Sequence, residues 1–261
     1  MKSFSNIILQ ESNTGVSRIK LNDPKTYNAL SLKTLKSLIS AFKKLDDDEK
    51  TKVIIIEGEG KGFCAGHDLK EISSLKGKPD YSRLFNLCSE LMLTIININK
   101  PVIAKVHGAA YAAGCQLVAT CDLALSTTDA IFATPGVNIG LFCSTPMVAV
   151  SRNVSRKKIM KMLLTGESID ASYAKEIGLI NDHYNKNNLE EEVMNLAEKI
   201  SYKSNKVIKI GKKAFYKQLE MPIDEAYKYA SKVMTENMLA IDAKEGISAF
   251  LEKRKPNWKN K

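Results

Sequence analysis

No apolar run in this chain approaches the ~20 residues that a membrane-spanning helix needs. The opening stretch up to Leu21 lacks an apolar signal core, and Glu11 fits badly with the acid-poor character of a transit segment. A cytoplasmic protein with no membrane association is therefore expected. Cysteine is sparse. The five residues Cys64, Cys88, Cys115, Cys121 and Cys143 are an odd number, contain no Cys-x-x-Cys pair and mostly lie among apolar or small neighbours, as free thiols in a reducing compartment do. Repeats, low-complexity tracts and Pro/Gly/Ser linkers are also absent, which argues for one core. Only the C-terminus reads as a place for disorder.

What is present is the balance of a folded globular chain: 261 residues, 44% hydrophobic and 26% charged. The formal net charge of +10 favours an anionic partner, either nucleic acid or a small polyanion such as a phosphorylated nucleotide. A Lys- and Asn-rich sequence also suits an AT-rich genome, so charge alone does not choose.

Alternating apolar residues in Asn6 to Gln10 and in Val16 to Leu21, around the turn Ser12-Asn13-Thr14-Gly15, predict an opening hairpin. From Ser31 the residues Leu32, Leu35, Leu38, Ile39, Phe42 and Leu45 recur at helical spacing, and the run Asp46 to Glu49 closes the pattern. Val53-Ile54-Ile55-Ile56 is a continuous β-branched run, as a strand buried on both faces requires, and Gly58, Gly60 and Gly62 end it. The cycle recurs with a helix from Tyr81 to Ile98, a strand from Val102 to Val106, a helix beginning near Ala113 and a third strand from Asp122 to Ser126. That order implies right-handed crossovers in a mostly parallel sheet. After Arg152 helices dominate, with Ile159, Met162 and Leu163 on one face and Ala171, Ala174 and Ile177 on another.

Two loops that follow buried strands concentrate small residues, Gly62 to Leu69 and Gly108 to Cys115. Glycine and alanine leave backbone N–H groups unshielded, and the second loop runs into a helix N-terminus, whose partial positive charge favours an oxyanion. Two N–H donors converging on one oxygen would stabilise an enolate or a tetrahedral intermediate, at roughly 3 to 4 kcal/mol per donor. Spacing alone equally fits two tight strand-to-helix turns without a ligand.

Phe63-Cys64-Ala65-Gly66-His67-Asp68-Leu69-Lys70-Glu71 resembles the first signature of the crotonase (enoyl-CoA hydratase/isomerase) superfamily. Pro101 to Gly108, leading to Ala113-Gly114-Cys115-Gln116-Leu117 and Cys121-Asp122, resembles the second. Tyr27-Asn28-Ala29-Leu30, Phe132-Ala133-Thr134-Pro135, Leu164-Thr165-Gly166-Glu167 and Ala249 to Arg254 match in order across nearly the whole chain. The resemblance implies the ClpP/crotonase-like α/β fold: a spiral of ββα units at 1–200 and a C-terminal helical trimerisation region at 201–261, in one continuous family domain. It implies an acyl-CoA thioester as ligand, no cofactor beyond the CoA moiety, no metal, and a homotrimer or dimer of trimers. Carried over by position, the backbone N–H groups of His67 and Ala113 would form the oxyanion hole. The CoA would lie along Ala29, Ala65, His67, Asp68 and Leu69, with Phe250 and Lys253 supplied across a subunit contact.

The chain departs from the hydratase pattern where a hydratase carries two glutamates: Gln116 follows Gly114-Cys115, and Gly136 follows Pro135. Glutamine cannot take a proton from water, and glycine offers no side chain. One acid or base contributes ~10²- to 10⁴-fold, so hydration should be nearly lost. Gln116→Glu alone should restore little, and Gln116→Glu with Gly136→Glu should raise the rate at some cost in backbone strain. The stretch Phe132 to Pro146 is similar to one branch of the superfamily that carries the same departures. Three functions stay open: an enzyme of the lyase/isomerase type acting without the glutamates in fatty-acid metabolism, a catalytically silent acyl-CoA binder, and, remotely, a nucleic-acid-binding relative.

Among the remaining residues, the His67 ring is a candidate general acid or base beside the thioester, although the hole needs only its backbone and Asp68 could simply orient the ring. His107 reads as structural and His183 as surface. Cys143 reads as a pocket-lining thiol without a basic partner. The tail from Lys253 to Lys261, which mixes cations with Trp258, suits CoA phosphate contact or plain solvation.

Overall fold

The computed structural model describes residues 2–4, 6–11 and 14–260. Its strands and helices follow in the order β1 (Lys2–Phe4), β2 (Ile7–Gln10), β3 (Val16–Leu21), α1 (Leu32–Asp47), β4 (Val53–Gly58), α2 (Leu69–Ser74), α3 (Lys78–Asn97), β5 (Val102–Val106), β6 (Ala109–Tyr111), α4 (Ala113–Thr120), β7 (Leu123–Thr127) and β8 (Ile131–Ala133). A 3-10 turn at Pro135–Ile139 leads to α5 (Ser144–Val150), α6 (Arg156–Thr165), β9 (Ile169–Asp170), α7 (Ala171–Glu176), β10 (Asp182–Tyr184) and α8 (Lys186–Ser201). Three more helices follow: α9 (Asn205–Gln218), α10 (Ile223–Met238) and α11 (Ile241–Leu251).

The main sheet runs β1-β2-β3-β4-β5-β7-β10. The first two pairings are antiparallel and the other four parallel. The run Val53 to Ile56 shows why this sheet is covered on both sides. Ile54 and Ile56 enter the large core with Leu38, Phe42 and Leu91, and Val53 and Ile55 enter a second core against Leu189, Val193 and Ala197 of α8. With a side-chain period of two, only a strand apolar at every position can feed both layers.

The helix expected from Ser31 is α1, whose Ser31 side chain accepts from the Thr34 N–H as its N-cap. The hairpin is the antiparallel β2–β3 pair, and Ser12 and Asn13 of its turn lie outside the described residues. A smaller sheet of order β6-β8-β9 has no counterpart in the sequence reading, because strands of two or three residues are too short to show alternation. The same reason corrects His183. It lies on β10, paired with Ser126 of β7 and half-buried, with Nδ1 buried and without a partner.

Lys212 of α9 fastens the C-terminal helices to the sheet. Its ammonium lies 2.6 Å from Asp122 Oδ2 and donates to the carbonyls of Ile95 and Lys100. Tyr216 donates to Asp122 Oδ1, and Asp122 Oδ2 also accepts from the Val102 N–H. The tail is tied down as well, contrary to the expected disorder. Trp258 donates its indole N–H to the Tyr202 carbonyl, and Asp242 accepts from the N–H groups of Lys259 and Asn260. Among the described residues no helix is long and apolar enough to cross a membrane.

Candidate active site

The two small-residue loops meet. The carbonyl of Cys64 accepts from Tyr111 N–H, and Cys64 N–H donates to the carbonyl of Ala109, so the first loop is stitched along β6. Two glycines allow the contact. A Cβ at Gly114 would stand 2.1 Å from the Cys64 carbonyl oxygen, and one at Gly66 would stand 3.0 Å from both Ala112 Cβ and the Tyr111 oxygen. The loop at Tyr27 to Leu30 props this pair from behind. Leu30 donates to the Gly66 carbonyl, Ala65 donates to the Tyr27 carbonyl, and the Asn28 amide bridges the carbonyls of Glu59 and Gly62. Gly114→Ala is therefore expected to cost about 3 kcal/mol through overpacking against main chain, read as a lower midpoint of urea unfolding.

At this junction the N–H groups of His67 and Ala113 enter no backbone hydrogen bond among the described residues. Ala113 is the first residue of α4, where helical geometry leaves the N–H unpaired and the helix end carries partial positive charge. Ala112, just before it, holds φ 49° and ψ −114°, a conformation that L-residues rarely adopt. It is pinned there by donating to the Ala133 carbonyl and accepting from Gln116 N–H. Strain of this kind gathers where a site imposes it.

A cavity of about 570 Å³ opens over the two N–H groups. Its wall includes Ala65, His67, Leu69, Ala113 and Gly136 from the sequence reading. Cys143 lines it too, as expected, and Phe85, Tyr111, Ile139, Leu141 and Phe142, which that reading did not assign to a pocket, add most of the large apolar surface. Leu141 and Phe142 follow Gly140 in an aperiodic loop, so only their apolar character next to a turn signal could have marked them. Among the described residues no Asp, Glu, Lys or Arg lines the cavity.

The other expected site residues are more scattered. Ala29 is buried behind the loops. Asp68 does not orient His67, because its carboxylate accepts from Lys70 and Glu71 N–H as the N-cap of α2. Phe250 and Lys253 lie at the end of α11 and take no part in this wall. Gln116 is 3% exposed, with its Oε1 3.8 Å from Cys88 Sγ, and it too stands outside the lining. Gly136 lies in the lining, but a Cβ there would stand 2.6 Å from the Leu141 carbonyl oxygen and 2.9 Å from Cys143 Sγ. The obstacle to a side chain at 136 is thus space and not the torsional freedom expected from the sequence, since Gly136 is absent from the positive-φ glycines.

His67 packs edge-on against Phe85 with centroids 5.5 Å apart, and its Nδ1 is 3.3 Å from the Leu30 carbonyl oxygen. Its Nε2 is buried without a partner, and burial holds the imidazole below its ordinary pKa while the Leu30 carbonyl opposes the shift. Burial pushes the thiols of Cys64, Cys88 and Cys115 up to about 12 and raises Cys143 as well, so none is an activated nucleophile. Cys143 Sγ instead accepts from Gly136 N–H. His107 is structural, its Nε2 2.9 Å from the Gly60 carbonyl oxygen.

A spiral α/β core with two free backbone donors beneath an apolar cavity defines a protein of the crotonase class. The family described as Enoyl-CoA hydratase/isomerase matches residues 11–261, and the chain belongs to it. The chain is 46% identical to human enoyl-CoA hydratase domain-containing protein 3, whose crystal structure superposes with a TM-score of 0.94 over 97% of this chain and 100% of that one. An enoyl-CoA hydratase from Mycobacterium smegmatis gives a TM-score of 0.96 at 46% identity, covering 98% of this chain and 99% of that chain. The Mus musculus relative, enoyl-CoA hydratase domain-containing protein 3, mitochondrial, is 48% identical over 94% of this chain and 81% of its own length. The mitochondrial designation of that relative overturns the cytoplasmic expectation.

Proposed function

We propose that the protein binds acyl-CoA thioesters and polarises the thioester carbonyl with the N–H groups of His67 and Ala113, without the carboxylate pair that hydrates an enoyl group. The two unpaired donors at the floor of an apolar cavity carry this reading. They are fixed by the fold before any ligand arrives, so they need no reorganisation to hold developing charge on oxygen. Gln116 and Gly136 occupy the positions of the hydratase glutamates, and neither can move a proton. The wall suits an acyl chain, and the CoA would extend along Ala65 and Leu69. Tyr227, Leu239, Phe250 and Leu251, each more than 70% exposed, give the C-terminal helices an apolar face suited to the trimer, which would bring a neighbour's Phe250 and Lys253 toward the CoA.

A ligand that binds only the folded chain stabilises it by RT ln(1 + [L]/Kd), or about 2.7 kcal/mol at a hundredfold excess over Kd. Acyl-CoA thioesters are therefore expected to raise the thermal midpoint in a scan across chain lengths, and more than free CoA does. A midpoint unmoved by every thioester would sink the reading.

A further inference from the structure

A second cavity, of about 560 Å³, lies at the opposite end of the main sheet from the one over His67 and Ala113. Lys52 stands just before β4 and Lys100 just before β5, whereas the two small-residue loops follow those strands. Five or six residues of strand at ~3.3 Å each put the two ends about 17 to 20 Å apart. The cavities share no lining residue, so the second is no extension of the first.

Five ammonium groups converge on it from four parts of the chain: Lys52, Lys100, Lys206 and Lys209 at the start of α9, and Lys259 of the tail. Among the described residues none of the five forms an ion pair, although exposed lysines elsewhere do, as Lys43 does with Glu90 and Lys158 with Glu176. Two carboxylates share the lining. Asp46 already accepts from the Asn99 N–H and side-chain amide, and Glu49 is exposed. Lys52 donates to the Ser201 carbonyl. Burial is the main force holding the Lys100 ammonium below the ordinary lysine range, and Lys209 adds repulsion, while Asp46, Asp48 and Glu49 oppose the shift. Like charges gathered around one hollow repel each other, and a bound anion relieves that repulsion.

We infer that this cavity is a binding site for a small polyphosphate, held through its phosphate oxygens alone. Each ammonium is a compact charge with three donors, which suits phosphate without reading what the phosphate is attached to. Among the described residues Ile208 is the only apolar side chain in the lining, and no aromatic ring joins it. A nucleobase or an acyl chain therefore has no surface to lie on, and a nucleic-acid strand lacks the stacking platform that accompanies charge in such sites. The site accounts for part of the net charge of +10 that pointed to an anionic partner.

Isothermal titration of the intact protein with inorganic tripolyphosphate, in metal-free buffer at about 0.15 M ionic strength, tests the site. A Kd below about 1 mM is expected, weakening as salt rises, and saturating hexanoyl-CoA should leave it within about threefold. Lys206→Gln with Lys209→Gln, both exposed on α9, should weaken binding about tenfold or more at an unchanged unfolding midpoint. Lys33→Gln with Lys36→Gln, exposed on α1 and outside the cavity, should leave it unchanged. ATP should bind within about threefold of tripolyphosphate, because nothing in the lining holds its base. No uptake of tripolyphosphate by the wild type would overturn the inference, as would equal weakening by the two double variants, which would reduce the effect to net charge. Full competition by hexanoyl-CoA would place the phosphate in the CoA site instead. A short single-stranded RNA that binds more than about tenfold tighter than tripolyphosphate would make these lysines part of a nucleic-acid surface, and would overturn it too.

Discussion

Crotonyl-CoA incubated with the wild-type protein is expected to keep its enoyl-thioester ultraviolet absorbance almost unchanged while still protecting the fold against heat. On the proposed reading, Gln116 and Gly136 stand where a hydratase has two proton-transfer groups acting on one water, each worth ~10²- to 10⁴-fold, so the combined loss should leave little above background. Gln116→Glu should not recover the activity. It would place a carboxylate at a 3%-exposed position beside Cys88, where burial disfavours the ionised form. The structure also reverses the expectation for the double change. Any side chain at 136 must displace the Leu141 carbonyl and Cys143, the residues that close this end of the cavity. Gln116→Glu with Gly136→Glu should therefore lose ligand protection and gain no hydration. A double variant that hydrates well above wild type would show that the 141–143 loop yields and that the sequence expectation was right. Robust hydration by the unmodified chain would mean that His67 or another group does the work of the absent glutamates.

The second large effect is expected far from the cavity. Asp122→Ala would strand the Lys212 ammonium, whose side chain is 7% exposed, with only the carbonyls of Ile95 and Lys100 for partners. It would also remove the acceptor for Val102 N–H and for Tyr216. Breaking one side of a buried ion pair costs about 3 to 5 kcal/mol, because the remaining charge stays desolvated. Lys212→Met should cost less, since Val102 N–H and Tyr216 still satisfy the carboxylate. Urea unfolding followed by circular dichroism measures the loss. The fluorescence of the single tryptophan, Trp258, reports separately on the C-terminal helices that Lys212 fastens. A midpoint for Asp122→Ala equal to that of wild type would remove this anchor from the account of stability.

The legible parts of the fold were those with enough residues to show a period. α1 announces itself through six apolar positions at helical spacing, and β4 through four consecutive β-branched residues. The strands of the small sheet and β10 are too short for that, and the polar His183 obscured its own strand. Within the site, the two glycine-bearing loops were readable because close backbone approach demands small residues. The cavity wall was not, because Phe85, Tyr111 and Leu141 converge from three separate elements with no shared spacing. The role of Asp68 was misread for a related reason. Sequence adjacency to His67 suggested a partnership, whereas an Asp three residues before Glu71 at a helix start is an N-cap by geometry.

The contact between the two loops also bears on the order of assembly. Cys64 meets Ala110 and Gly66 meets Ala112 across more than forty residues of chain, and α3 and β5 lie between them. The donors at His67 and Ala113 have no common location until that long loop has closed and both strands have paired, and non-local closures of this kind come late and slowly. A half-formed chain can hold most of its helices and still lack the junction at which a thioester is proposed to sit. During refolding, ligand capture would therefore count finished molecules, where helix content would count unfinished ones too.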